Sequence, residues 1–313
     1  MASKDLLVIF GATGNQGGST AHIVLDDPEL SQRYSVRAIT RSASNPAAQA
    51  LKSKGAEIVE ADLDDPASLK PALKGASFVF GVTNTQYDGT SREVETRQAK
   101  ALCTEAVAAG VKYFIWSSGS PAAKHSHGKL NVPHFDVKSE IEEYVRTLPF
   151  QSAFVAPGSF MQNLWSHMMP KASPSGDGTY AITNLCHGST PMPLIDITDT
   201  GKWTSAILAD PDKYAGKYFA AAQRLYTFDE MASIVSKVTG KTVRHQHVPD
   251  EVLRAWMPEA MRESLGDMQV LWRDYGYYGE TMKQDVEWAA AQARGQLTDL
   301  ETYLRKSDFK IEE

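Results

Sequence analysis

Two cysteines in 313 residues, Cys103 and Cys186, are too few and too far apart for a disulfide framework or a Cys-x-x-Cys zinc site. Both are expected to be reduced, buried thiols. Long hydrophobic runs are missing as well. No stretch approaches the ~18 apolar residues that span a bilayer, and the opening run Leu6–Phe10 is too short for a secretory leader. A soluble, cytoplasmic protein is therefore expected, also nuclear if its role is regulatory. Excess positive charge is absent too: 32 Lys plus Arg stand against 38 Asp plus Glu, a formal net charge of -6. A duplex-DNA reader shows a basic footprint, so no direct nucleic-acid contact is expected. No Gly-rich loop ends in Gly-Lys-Ser/Thr, which excludes a P-loop for ATP or GTP. The pairs His125/His127 and His245/His247 have no acid or cysteine spaced with them, so no metal site is expected.

What the first half does contain is regular alternation. Short, almost continuously apolar runs occur at Leu6–Phe10, Ser35–Thr40, Ala56–Glu60, Phe78–Val82, Tyr113–Trp116 and Ser152–Ala156, as strands buried on both faces require. Between them, Gly18–Leu25, Pro46–Lys54, Pro66–Leu73, Ser91–Ala109 and Asp136–Leu148 read as helices. Repeated βαβ units imply an α/β fold with a doubly wound, parallel sheet of Rossmann type. Further on, Met192–Ile197, a helix over Thr200–Leu208 and Lys217–Ala222 form a β-α-β unit that can extend this sheet. Residues 170–191 read as a loop, and Thr227–Glu230 and Thr298–Glu301 as capping boxes that start helices. The expected division is a nucleotide-binding domain of residues 1–156 plus 192–222 and a smaller, mostly helical lobe of 157–191 plus 223–313. That lobe carries Trp256, Trp272, Tyr275, Tyr277, Tyr278 and Trp288, as its core or as the wall of a substrate pocket.

The most informative segment follows the first strand: Gly11-Ala-Thr13-Gly14-Asn15-Gln16-Gly17. Gly11 supplies a tight turn, Gly14 lets backbone approach a pyrophosphate, and Gly17 lets helix and strand pack closely. The helix start then offers free N–H groups to phosphate. After the second strand, where NAD enzymes place an acid on the ribose, stands Arg41. A guanidinium suits a 2′-phosphate, so NADP(H) is favoured over NAD(H). Asp62, followed by Leu63 after the third strand, is placed either to reach the adenine or to start a helix.

These residues, with Thr40-Arg41, Val82-Thr83-Asn84, His134-Phe-Asp-Val-Lys138, Pro157-Gly-Ser-Phe160-Met-Gln-Asn163 and Thr198-Asp-Thr-Gly201, resemble the NmrA-like family. That family is an atypical branch of the short-chain dehydrogenases/reductases, and the chain most resembles its redox-sensor subgroup. The resemblance implies NADP(H) with Thr13, Gln16 and Arg41 near the phosphates. It puts Thr83 and Asn84 beside the ribose and Lys138, Pro157 and Phe160 toward the nicotinamide, with Asn163 a further cofactor-binding residue. Where the sensor group often has a second basic residue four positions after the arginine, this chain has Asn45.

Classical members of the superfamily use Tyr-x-x-x-Lys with a serine. Here the spacing is His134-x-x-x-Lys138, with Ser117 and Ser118 ending the fifth strand. His134 and Lys138 share one helical face, and a proton donor near neutral pH is available from His134 at its ordinary pKa or from Lys138 when desolvated. Alternatively, Lys138 only binds ribose or pairs with Glu142. Two readings follow: an NADPH-dependent reductase of a small carbonyl, imine or conjugated substrate, with Lys138 helped by His134 or Ser118; or an inactive NADP(H) sensor that regulates a protein partner such as a transcription factor. A homodimer is left open. The acid-free loop Lys124–Lys129 is expected to be a solvated segment able to move over the cofactor.

Overall fold

The computed structural model describes residues 4–173 and 176–311; Pro174 and Ser175, within the expected loop, lie outside the described residues. The strands β1 (Asp5–Ile9), β2 (Tyr34–Thr40), β3 (Glu57–Glu60), β4 (Phe78–Gly81), β5 (Tyr113–Ser117) and β6 (Gln151–Pro157) follow the apolar runs. With β11 (Tyr218–Ala221) they form a seven-stranded parallel sheet in the order β11-β6-β5-β4-β1-β2-β3. Its central strands are sealed on both faces: Leu7, Val8, Ile9, Phe114, Ile115 and Trp116 are fully buried. The edge strand β3 is only half covered, with exposed Glu57 and Glu60 flanking half-buried Ile58 and Val59, and Glu57 pairs with Arg37 of β2 at 2.8 Å.

The expected β-α-β extension is only half formed. β11 takes the open edge of β6, but β10 (Pro191–Ile195) lies in another sheet, antiparallel to β12 (Arg224–Thr227) and parallel to β7 (Ser159–Phe160). The edge of β6 is filled by β11, so the chain leaving β6 pairs elsewhere through β7. Gly158 allows this, because a Cβ there would lie 2.5 Å from the Pro193 carbonyl oxygen. Residues 170–191 are likewise not one loop. They contain β8 (Lys171–Ala172) and β9 (Tyr180–Asn184), and β9 runs parallel to β13 (Val243–His247) in a third sheet.

Two helix starts bear on the site. The helix expected from Gly18 begins at Asn15, and the one expected from Asp136 begins at Pro133, where the missing N–H of proline costs nothing. Thr227 caps its helix by accepting from the Glu230 N–H. At the second expected box the cap is Asp299 rather than Thr298, whose N–H and hydroxyl donate to Asp199. The helix Thr200–Ala209 packs on the glycine-rich helix Asn15–Asp26, and Gly201 admits the contact: a Cβ there would lie 2.5 Å from Ser19 O. Among the described residues no helix is long and apolar enough to cross a membrane.

Candidate functional site

A groove of about 440 Å³ opens at the C-terminal ends of β1 to β4, where parallel sheets bind ligands. Its floor is the glycine-rich turn. Gly11 has φ of +63°, a left-handed conformation natural to glycine. A Cβ on Gly17 would lie 2.4 Å from Gly11 O, so only glycine lets helix and turn meet. The helix begins directly on Gly14, with no side chain capping it and no acid in its first turn. Thr13, Asn15 and Gln16 line the groove with these glycines. Free N–H groups and the helix dipole there fit a pyrophosphate.

Arg41, Asp62, Leu63, Asn84 and Phe160 line the same groove. Arg41 is exposed, and no ion pair holds it among the described residues. Asp62 accepts from the Asp64 N–H at 3.0 Å, while the helix after it is capped by Asp65. Asp62 thus stays on the groove wall and leaves the helix start to its neighbour.

Thr83, Lys138, Pro157 and Asn163 are not on this wall; Thr83 is buried between the wall residues Val82 and Asn84. Lys138 is tied from the helix Pro133–Val145 to the end of β4: Nζ donates to Thr83 O, to Thr83 Oγ1 (2.8 Å) and to Glu95 Oε2 (2.5 Å). Those three acceptors use all three ammonium hydrogens. Burial pushes the Lys138 amine down from its usual value, and Glu95 pulls it back up. Glu95, on the helix Ser91–Ala108, is fully buried and also accepts from Ser91 Oγ (2.5 Å) and Thr83 Oγ1 (2.5 Å). The alternative pairing of Lys138 with Glu142 does not form. Glu142 instead pairs with Arg146 at 2.6 Å and accepts from Ser118 Oγ at 2.5 Å. Ser117 donates to Gln16 Oε1 at 2.7 Å, joining β5 to the turn.

One turn before Lys138, His134 is buried, and burial lowers its pKa to about 4. Its Nε2 faces Met268 Sδ at 3.4 Å. Phe135 stacks at a tilt on Tyr277, whose hydroxyl donates to Pro157 O at 3.2 Å. Tyr278 donates to Ala156 O at 2.7 Å. Tyr277 and Tyr278 therefore close over the end of β6. Asn163 Nδ2 donates to Ser159 Oγ at 3.4 Å and braces β7.

The segment Lys124–Lys129 is not a free loop over the groove. It is tethered by a short helix (Ala122–His125) and by fully buried Ser126, whose hydroxyl accepts from the Leu130 N–H. Among the described residues no cluster of His, Cys, Asp or Glu has the makings of a metal site. Sequence reasoning missed Glu95, Gln98 and Ile197, the last two on the groove wall. A signal existed for the first two. Ser91, Glu95 and Gln98 share the helix face that carries Leu102 and Ala106 further on, which places them inward.

The NmrA-like family matches residues 3–304. An NmrA-like family domain-containing oxidoreductase, FrzB of a Cladobotryum species, is 31% identical over 78% of this chain and 76% of its own. Among solved structures, Nmra, a negative transcriptional regulator captured with NAD and with NADP, superposes with a TM-score of 0.76 at 20% identity, covering 97% of this chain and 95% of its own. The Citrobacter triphenylmethane reductase complexed with NADP(H) gives 0.75 at 22%, covering 97% and 99%. With a glycine cradle at the head of a parallel sheet and a match along almost its whole length, the chain belongs to the NmrA-like family and has that family's NAD(P)-binding, Rossmann-type fold.

Proposed function

We propose that this protein is an NADP(H)-dependent oxidoreductase that reduces a small conjugated carbonyl or imine. The observation that carries the reading is a phosphate cradle, a guanidinium, Arg41, on the groove wall with no ion pair among the described residues, and a buried ammonium, Lys138, bonded to Thr83 between the wall residues Val82 and Asn84. Arg41 holds the 2′-phosphate and sets the preference for NADP(H) over NAD(H). NADPH, when bound, supplies a hydride to the substrate carbon. The substrate oxygen or nitrogen then needs a proton, which Lys138 gives up by exchanging its contact with Thr83 O for the substrate atom. Glu95 keeps the ammonium charged for that step, and His134, neutral and one turn away, shapes the site. Ser118 orients Glu142 and the helix bearing Lys138.

The test is NADPH consumption across a panel of conjugated aldehydes, ketones, quinones and imines. The expected result is turnover that Lys138→Met lowers by about 100-fold or more, as loss of a general acid does, with NADP(H) affinity nearly unchanged. Arg41→Glu is expected to weaken NADP(H) about tenfold or more, the loss of a charge-assisted bond, and to spare NAD(H). Failure of the whole panel to consume NADPH overturns the reading.

One observation favours a second reading, membership of the redox-sensor subgroup. All three Lys138 N–H groups already have internal acceptors, as befits a strut rather than an acid. A sensor would work by cofactor occupancy changing a surface that a regulated protein partner binds, in the cytoplasm or the nucleus. Capture of the same partner with and without NADP(H) tests this, and indifference to the cofactor removes it.

A further inference from the structure

The turn that carries Arg41 is held from the neighbouring strand by a carboxylate. Glu60, the last residue of β3, lies directly across from Thr40, the last residue of β2. Thr40 Oγ1 accepts from the Ser42 N–H at 3.2 Å, and Glu60 Oε1 accepts from the Ala43 N–H at 2.6 Å. Successive N–H groups of a turn are a recurrent anion-binding device, and in this turn oxygens of the protein itself fill them. The other donors at hand are the Ser42 and Ser44 hydroxyls, 2.9 Å apart, and the Arg41 guanidinium, all on exposed residues. Glu60 is exposed as well, and no ion pair neutralises it among the described residues. It is not on the groove wall, but Thr40 and Arg41 across the strand pair and Ala61 and Asp62 along the chain all are.

Resting on the reading that Arg41 takes the 2′-phosphate, we infer that Glu60 is a second determinant of cofactor choice, one that opposes Arg41. Its carboxylate holds a place that the 2′-phosphate contests, and its charge keeps NADP(H) affinity down while leaving NAD(H) affinity untouched. Arg41 follows Thr40 in the chain and Glu60 faces Thr40 across the sheet, so a phosphate drawn to the guanidinium is brought toward the carboxylate. Like charges this near repel one another even at a wet surface. NAD(H) has a neutral hydroxyl at the same position and meets no such repulsion. The phosphate also competes for the Ala43 N–H, a charge-assisted bond for whichever anion holds it. Where a second basic residue would offset the carboxylate, the chain has Asn45, whose side chain is spent on capping the next helix through the Ala47 N–H. Of the acids further along, Asp64 is paired with Arg97 at 2.6 Å and Asp62 turns back to the Asp64 N–H, whereas Glu60 reaches into the Arg41 turn itself.

The experiment is calorimetric titration of the full chain with NADP⁺ and with NAD⁺, which reads binding and not turnover. Glu60→Gln keeps an acceptor for the Ala43 N–H and removes only the charge. It is expected to bind NADP⁺ about three- to tenfold tighter than the wild type, with NAD⁺ affinity unchanged, and the gain is expected to shrink between about 50 and about 500 mM salt. Glu57→Gln removes the same charge from the same strand, away from the turn, and is expected to change neither affinity. NADP⁺ binding that is unchanged or weaker in Glu60→Gln, or a gain that Glu57→Gln reproduces, overturns the role of Glu60. Arg41→Ala separates this failure from a failure of the reading beneath it. If Arg41→Ala weakens NADP⁺ while Glu60→Gln changes nothing, only Glu60 loses its role; if Arg41→Ala leaves NADP⁺ affinity intact, the 2′-phosphate reading falls and the role of Glu60 falls with it.

Discussion

Glu95 and Lys138 are charges that the interior tolerates because each neutralises the other and the remaining lone pairs are filled by Thr83 and Ser91. Removing one member of such a pair strands the other. His134, a turn away, answers the same burial differently: it stays neutral, with a pKa of about 4 against 6.5 when free. Burial is the main cause; Glu95 opposes it and Lys138 adds to it. Because the folded value lies below the unfolded one, the unfolded chain takes up the extra proton between about pH 6.5 and pH 4. His134 thus contributes stability above that range and loses it as the pH falls. From pH 7 to pH 5 this linkage amounts to about 2 kcal/mol. His134→Phe is expected to remove about that much acid sensitivity from urea unfolding measured at the two pH values. Burial also lowers the pKa of His125, His167 and His245, so a smaller acid dependence remains. An unchanged slope would show that His134 protonates freely in the folded protein.

At the scale of elements, contacts local in sequence were legible and those made across the fold were not. The central runs between Leu6 and Ala156 read as buried strands because being covered on both faces demands nearly unbroken apolar residues; the edge run Ala56–Glu60, with Glu57 and Glu60 exposed, is only half covered. Thr227 read as a cap because its partner is three residues away. Thr298 has the same local pattern, but its hydroxyl is claimed by Asp199, far along the chain, and the cap moves to Asp299. The partner of β10 was hidden for the same reason: its Pro-Met-Pro-Leu-Ile stretch suits either sheet, and the choice rests on β11 already filling the edge of β6. The cradle was the most legible part of the site, since its geometry is set by glycines within seven residues. Gly17→Ala tests that geometry. A Cβ at 2.4 Å from Gly11 O meets backbone, which cannot rotate away. The expected cost is about 1–3 kcal/mol in unfolding free energy, typical of overpacking, with loss of NADP(H) binding because the turn must move. Retained stability and affinity would mean that turn and helix are not held together by that contact.

For the whole molecule, the groove joins parts that the sheets keep separate. Its cradle belongs to the seven-stranded sheet, while Phe160 comes from β7 and Ile197 follows β10, both of the second sheet. No residue of the third sheet, β13-β9-β8, lines it. A ligand that binds only the intact groove stabilises every unit whose opening destroys it, and no other. At a concentration of 100 Kd this stabilisation is about 2.7 kcal/mol, a slowing of amide exchange by about 100-fold. With NADP⁺ at that level, exchange is expected to slow in the glycine-rich turn, at the β6–β7 junction and at the start of the helix Thr200–Ala209, which is bonded to the cradle helix through Ser19. Amides of β9 and β13 are expected to exchange at their ligand-free rate, because the third sheet can open without disturbing the groove. Equal slowing in all three sheets would show that the chain opens only as one unit. Slowing confined to the turn would show that Phe160 and Ile197 do not hold the ligand.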